Sequence, residues 1–230
     1  MTPEAMRSSL QSSAAKSSFS AKMMKFREVG LLVFIVVLCF FIQMRNPRFL
    51  TLENINDLLT NTAILSILAV GMTLVIVTRG IDLSIGATLA LAGMVTAQTV
   101  AAYPGLHPLL AVLLGILIGT TCGSLIGVLI ARSRLLPIIA TLCMMYVFRG
   151  ITYIVSGGSW VSAHQMPARF IDLATSSILG VNTLIVIAAV IYLIALYFAY
   201  HTRTGRQIYA VGSNPEAAEI SGIAKGRILW

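Results

Sequence analysis

The chain has 230 residues, of which 57% are hydrophobic and only 10% charged, and it carries a formal net charge of +8. This balance excludes a soluble domain of ordinary composition and predicts an integral membrane protein. The positive charge does not indicate nucleic acid, because the basic residues stand at the ends of apolar runs and form no stripe interleaved with aromatics.

Residues 1–28 form a basic, Ser-rich tail holding Arg7, Lys16, Lys22, Lys25 and Arg27. The first expected span, Val29 to Met44, is followed by Arg45-Asn46-Pro47-Arg48 rather than by small residues, so it reads as a retained helix and not as a signal peptide. It is short for a hydrocarbon core of about 30 Å. Lys25, Arg27 and Arg45 are therefore expected to snorkel. A polar connector from Arg45 to Asp57 leads to a second span, about Leu58 to Thr78.

The run Thr78-Arg79-Gly80-Ile81-Asp82-Leu83-Ser84-Ile85-Gly86 puts two opposite charges and two glycines between apolar stretches and predicts a turn. Asp82 is the only acidic residue between Asp57 and Asp172, which makes it a functional candidate at the membrane. Its spacing from Arg79 also allows a local pair, or a cap on the third span.

That third span is placed at about Ile85 to Ala102. The fourth, about Leu109 to Ala131, carries Gly115, Gly119, Gly123 and Gly127 on one face and predicts a groove that a neighbouring helix can approach closely. Arg132 and Arg134 close it.

A fifth span runs from about Leu135 to Val155 with Pro137 in its first turn. Arg149 lies within it, among Tyr146, Phe148 and Tyr153. Guanidinium donors and ring faces suit a sugar path, since hydroxyls accept charged hydrogen bonds and rings cover the apolar side of a sugar; snorkelling to the outer interface explains Arg149 equally well. The loop after Ser156-Gly157-Gly158-Ser159-Trp160 holds His164 and Arg169, with a partly embedded piece near Phe170 to Leu179. His164 reads as a loop residue, Tyr153 and Trp160 as interfacial anchors. The sixth span is about Val181 to Tyr200. Cys39, Cys122 and Cys143 all fall in apolar runs and read as small core residues.

Thr202 to Arg227 is the one long polar segment enclosed by hydrophobic sequence on both sides. Ser213 and Asn214 are N-cap types, Pro215 suits the first helical position, Glu216 completes a capping box with Ser213, and Gly222 is placed to end the turn. The expected helix, Pro215 to Ser221, is too short to be stable alone and must dock on something. Ala217, Ala218 and Ile220 offer it an apolar surface. Residues 228–230 read as the start of a further span.

With the N-terminus inside, the inner segments hold Arg7, Lys16, Lys22, Lys25, Arg27, Arg79, Arg132, Arg134, Arg203, Arg206, Lys225 and Arg227, against Arg45, Arg48, Arg149 and Arg169 outside. The Arg79 turn and the Thr202 to Arg227 loop are thus expected in the cytoplasm. The chain has no phosphate-binding loop, HExxH or CxxC motif, so no cofactor, metal or catalytic chemistry is expected of it.

The run Gly71-Met72-Thr73-Leu74-Val75-Ile76, followed by Ile81-Asp82-Leu83-Ser84-Ile85-Gly86, resembles the corresponding segment of the permease subunits of sugar-importing ABC transporters, the ribose, xylose, galactose, rhamnose and autoinducer group. The later run Gly205-Arg206, Ala210-Val211-Gly212, Asn214, Ala217-Ala218, Gly222-Ile223 resembles the loop with which those permeases contact their ATPase. The resemblance extends from about Asn46 to Arg227. It implies an all-α, polytopic membrane bundle with about six spans present, similar to the first part of a type II ABC importer permease of about ten spans.

It further implies a permease subunit of the bacterial inner membrane, not itself an enzyme, that imports a monosaccharide or sugar-like molecule. The implied partners are an ABC ATPase, a periplasmic substrate-binding protein, a second permease copy or paralogue, and membrane lipid. Gly205, Arg206, Ala210, Gly212, Asn214, Glu216, Ala217, Ala218 and Gly222 would form the ATPase-coupling segment, and Arg79, Asp82, Ser84, Gly86 and Arg149 the gate or path. Where the family often has glycine, this chain has Arg79. Family members also continue further, so the chain is expected to lack the C-terminal third. An ion-driven secondary transporter and a truncated subunit without a transport path are the other readings that the sequence leaves open.

Overall fold

The computed structural model describes residues 29–133, 135–178 and 180–229. The basic tail, Arg134, Leu179 and Trp230 lie outside the described residues. The chain divides into two units, Met1–Asp57 and Leu58–Trp230.

The first unit holds helix α1, Val29–Arg45, and the beginning of α2, Leu52–Val77. The Gln43 side chain organises the turn between them, donating to the Pro47 carbonyl at 3.1 Å and accepting from the Leu50 N–H at 2.9 Å. The guanidinium of Arg45 lies 5.8 Å from the centroid of the Phe41 ring. The connector expected as far as Asp57 is therefore shorter than the sequence suggests. Glu53, Asn54, Asn56 and Asp57 already belong to α2, whose 26 residues exceed what the hydrocarbon requires and leave room for polar first turns.

In the second unit, α3 (Ile85–Ala102), α4 (Pro108–Ser133) and α5 (Pro137–Ser156) pack on one another. Ala87 and Leu91 of α3, Cys122 and Ile126 of α4 and Phe148 of α5 form the core. The glycine face of α4 is packed only in part, at Gly115 and at the buried Gly127. A Cβ on Gly115 would meet only the Thr96 hydroxyl, at 3.3 Å, and one on Gly119 or Gly123 would meet nothing within 4 Å. Ile118, Cys122, Ile126 and Ile130 are the residues that pack, one position further round the helix. Gly115, Gly119 and Gly123 are turned away from that core by about 100°, whereas Gly127 is buried.

Local chemistry sets the helix ends. Leu136 is extended before Pro137, which occupies the first position of α5, and α5 closes on Gly157 in the left-handed region at φ 59°. Beyond a 3₁₀ turn at Ala163–Gln165 come α6 (Ala168–Thr175) and a two-residue antiparallel hairpin, Ser177–Ile178 with Val181–Asn182, where the sequence predicts a partly embedded piece. Asn182 then caps α7 (Thr183–His201) by accepting from the Leu184 N–H at 2.8 Å.

The polar segment after α7 contains three helices and not one: α8 (Arg203–Ser213), α9 (Pro215–Ile220) and α10 (Lys225–Leu229). The last of these packs on α4, α8 and α9.

The helices α2, α3, α4, α5 and α7 are each long and apolar enough to cross a membrane. Most of their large apolar side chains are exposed; α2 buries only Ala63. Helices apolar on nearly every side, with their backbone bonds closed internally, are what a bilayer tolerates.

Candidate functional site

The polar segment is built from its caps. Thr202 accepts from the Gly205 N–H at 3.0 Å and starts α8. Gly205 is buried where the chain turns off α7, and a Cβ there would overlap the carbonyl oxygens of Phe198 and Ala199. Ile208 and Val211, three residues apart, put the apolar side of α8 into the protein.

Asn214 separates α8 from α9, accepting from the N–H groups of both Glu216 and Ala217 at 3.1 Å. Asn214 alone is the cap. Ser213 ends α8, so the expected capping box with Glu216 does not form. Ala218 points inward and is 4% exposed, while Ile220 is 89% exposed. Ala217 and Glu216 are on the outer side with Ile220, and Gly222 turns the chain at φ 81°. Arg206 is exposed and donates to the His201 carbonyl at 3.3 Å; Ala210 is half-buried.

The two stretches singled out in the sequence meet here. Gly212 lies on the end of α2, where a Cβ would overlap the Val77 carbonyl oxygen and fall 2.9 Å from its carbon. Arg79, held at φ 62°, donates from Nε to the Gly212 carbonyl and from Nη2 to the Ser213 carbonyl, both at 2.7 Å. These are last-turn carbonyls that α8 itself leaves unpaired, and a cation is favourable there. Arg79 therefore bonds to α8 and not to Asp82.

Asp82 instead serves its own turn. One carboxylate oxygen accepts from the Ser84 N–H at 2.7 Å and from the Ser84 hydroxyl at 2.6 Å, and Ser84 is fully buried. Thr141 of α5, 1% exposed, accepts from the Leu83 N–H and lies in hydrogen-bonding range of the Ile81 carbonyl, both at 3.2 Å. The Ile81 to Ser84 motif is thereby pinned to α5. Thr141 was not evident in the sequence beyond being a polar residue inside an apolar run. Gly86, with nothing within 4 Å of a built Cβ, borders open space.

Beside this turn lies a cavity of about 350 Å³, bordered by Val75, Gly80, Asp82, Gly123, Thr141 and Phe198. The glycine face of α4 thus opens onto space at Gly123. Arg149 does not join this group. It is eight residues beyond Thr141 on α5, roughly 12 Å along the axis, and borders a separate cleft of about 520 Å³ with Gly93, Met94, Tyr153 and Trp160.

A polytopic all-α membrane bundle, carrying a short capped helix clamped onto the turn between two of its spans, is the class that fold and site define. The chain belongs to the family described as the branched-chain amino acid transport system / permease component, whose model matches residues 54–230. It is 39% identical over 199 residues to the ribose import permease protein RbsC of Escherichia coli, covering 86% of this chain and 61% of that protein. It is 36% identical over 220 residues to the ribose import permease protein RbsC of Bacillus subtilis, covering 95% of this chain and 66% of that protein. The D-allose transport system permease protein AlsC of Escherichia coli is 33% identical over 189 residues, covering 82% of this chain and 57% of that protein. The chain thus spans less than two thirds of the length of these curated relatives. No solved structure matches it.

Proposed function

We propose that the chain is the membrane-spanning permease subunit of an ATP-binding cassette importer, and that it carries a monosaccharide or sugar-like solute across a bacterial inner membrane with its N-terminus in the cytoplasm. The names of the relatives, ribose import and D-allose transport permeases, support the solute class. A separate ATPase, a periplasmic binding protein and a second permease copy or paralogue complete the assembly. The chain supplies the path and the ATPase supplies the chemistry.

The observation that carries this reading is α9. A six-residue helix is too short to persist alone, yet this one is capped by Asn214, anchored through Ala218 and joined to a segment clamped by Arg79, and it presents Ile220 outward. Such a surface suits a partner that pushes on it. Gly205, Ala210, Gly212, Asn214, Ala218 and Gly222 shape and seat the segment; Arg206, Glu216, Ala217 and Ile220 offer it to the ATPase.

Displacement of α9 passes through Gly212 and Arg79 to the α2–α3 turn, where Asp82, Ser84 and Gly86 border the inner end of the spans. Alternating access needs a two-state element that both the ATPase and the solute can bias, and this turn is suited to that part. The test is co-purification with a candidate ABC ATPase. Ile220→Asp is expected to abolish association while membrane insertion is kept. Association unchanged in Ile220→Asp and in the double variant with Ala217→Arg would overturn the reading.

A further inference from the structure

The cleft between α3 and α5 holds an arginine, Arg149, with no partner among the described residues. Arg149 stands at the thirteenth position of the twenty-residue helix Pro137–Ser156. No hydrogen bond, ion pair or ring contact joins its guanidinium to any described residue. Its side chain is exposed, and a charged group on a membrane span is retained where something pairs with it or where it reaches the interface.

The cleft itself is a built feature. Gln98 of α3 donates to the Val155 carbonyl at 2.8 Å and ties the two helices together at its far end. Gly157 and Gly158, at φ 59° and 75°, fold the chain back over the last turn of α5, and a Cβ on Gly158 would touch the Tyr153 ring at 3.6–3.7 Å. This reversal brings Trp160 to the same cleft as Arg149 and Tyr153. The space of about 520 Å³ accommodates a solute of monosaccharide size.

The polar groups here are unbalanced. Thr152 donates its hydroxyl to the Phe148 carbonyl at 2.7 Å, and Ser156 donates to the Tyr153 carbonyl at 3.0 Å while accepting from Gly158, so both are occupied by the backbone. What remains open is the guanidinium and the indole N–H of Trp160, which only donate, and the hydroxyls of Tyr153 and Ser159. Among the described residues no acidic side chain borders the cleft. A neutral polyol bound here would find donors for its oxygens but no carboxylate for its hydroxyl hydrogens. A carboxylate or phosphate would match the guanidinium fork and satisfy its charge.

We propose that this cleft binds an anionic, sugar-sized solute, a sugar acid or a phosphosugar, through Arg149, with Tyr153 and Trp160 covering its apolar face. As to purpose the proposal rests on the transport reading, which would make the cleft a selective station on the path; the binding itself does not depend on an ATPase.

The experiment uses the full chain in lipid nanodiscs. The chain has two tryptophans, so Trp230→Phe leaves Trp160 as the sole indole reporter. Gluconate, ribose 5-phosphate, inorganic phosphate and neutral ribose are titrated while Trp160 emission is followed. In parallel the nanodisc lipid is changed from phosphatidylcholine to phosphatidylglycerol. The expected result is a saturable change with gluconate and ribose 5-phosphate at concentrations about tenfold or more below those needed for ribose. Arg149→Gln is expected to remove that preference and Arg149→Lys to keep part of it.

Equal response to ribose, an anion response unchanged in Arg149→Gln, or a response to lipid charge alone would overturn the proposal. The last of these would make Arg149 a headgroup anchor. If Arg149→Gln does not fold, the ligand series on the parent and on Arg149→Lys still decides. ATPase association of the parent chain, scored separately, reports on the transport reading by itself.

Discussion

Arg79 and Gly212 are 133 positions apart in sequence and joined by a 2.7 Å hydrogen bond from guanidinium Nε to carbonyl oxygen. The same glycine rests on the Val77 carbonyl, so the end of α2 and the end of α8 share one contact. Two effects oppose each other at Arg79. Its side chain closes α8, while its backbone sits at φ 62°, a conformation that costs a non-glycine residue about 1 kcal/mol. Arg79→Ala loses the first and keeps the second; Arg79→Gly loses the first and relieves the second. Amide hydrogen exchange over residues 205–222 is expected to accelerate in both, more in Arg79→Ala. Equal protection in parent and Arg79→Ala would show that the hydrogen bonds contribute nothing.

Glycine positions are expected to separate sharply under substitution by alanine. Gly212→Ala and Gly205→Ala force a methyl onto backbone carbonyls that cannot withdraw, and overpacking of this kind costs about 1–3 kcal/mol or more. Gly119→Ala and Gly123→Ala enter open space and should be close to neutral. Thermal unfolding in detergent ranks the four. A Gly212→Ala midpoint no lower than that of Gly119→Ala would mean that α8 does not sit on α2 as described.

The cap of α9 offers a residue-level contrast. Asn214→Ala removes the acceptor for two N–H groups and is expected to cost about 1 kcal/mol, seen as fraying of residues 215–220. Ser213→Ala should have no such effect, because its side chain caps nothing. The reverse order, read by hydrogen exchange, would restore the capping box.

Thr141→Val tests how the Ile81 to Ser84 turn is held. It keeps the shape of the side chain and removes the acceptor for the Leu83 N–H, leaving a part-buried donor unpaired at a cost of about 1–3 kcal/mol. Protease sensitivity at Arg79 in detergent is expected to rise. Unchanged sensitivity and unchanged melting together would remove Thr141 from the description.

The spans were legible from their apolar runs, because a helix facing lipid must be hydrophobic on nearly every side, as α4 and α7 are. The start of α2 was not: Glu53, Asn54, Asn56 and Asp57 look like a connector, and only their place on a helix longer than the bilayer explains them. Residues Thr202 to Ser213 escaped for a related reason. Arginines and glycines give that stretch little local helical signal, and α8 is stabilised by the Thr202 cap and by burial of Ile208 and Val211. The candidate site was legible as two separate motifs. Their meeting was not, since nothing local to residue 79 refers to residue 212. The glycine spacing of α4 was visible, but its facing was decided by the larger side chains beside it.

The clamp between Arg79 and α8 also carries an order in time. Val77 and Arg79 leave the ribosome long before Gly212 does, so the end of α2 is made before the segment that docks on it. Newly made segments after α7 need not search for one another; each is received by an older one. Thr202 alone separates α7 from α8 and Gly205 packs on the end of α7, so a residue inserted there would break this docking just as one that displaces residue 79 would.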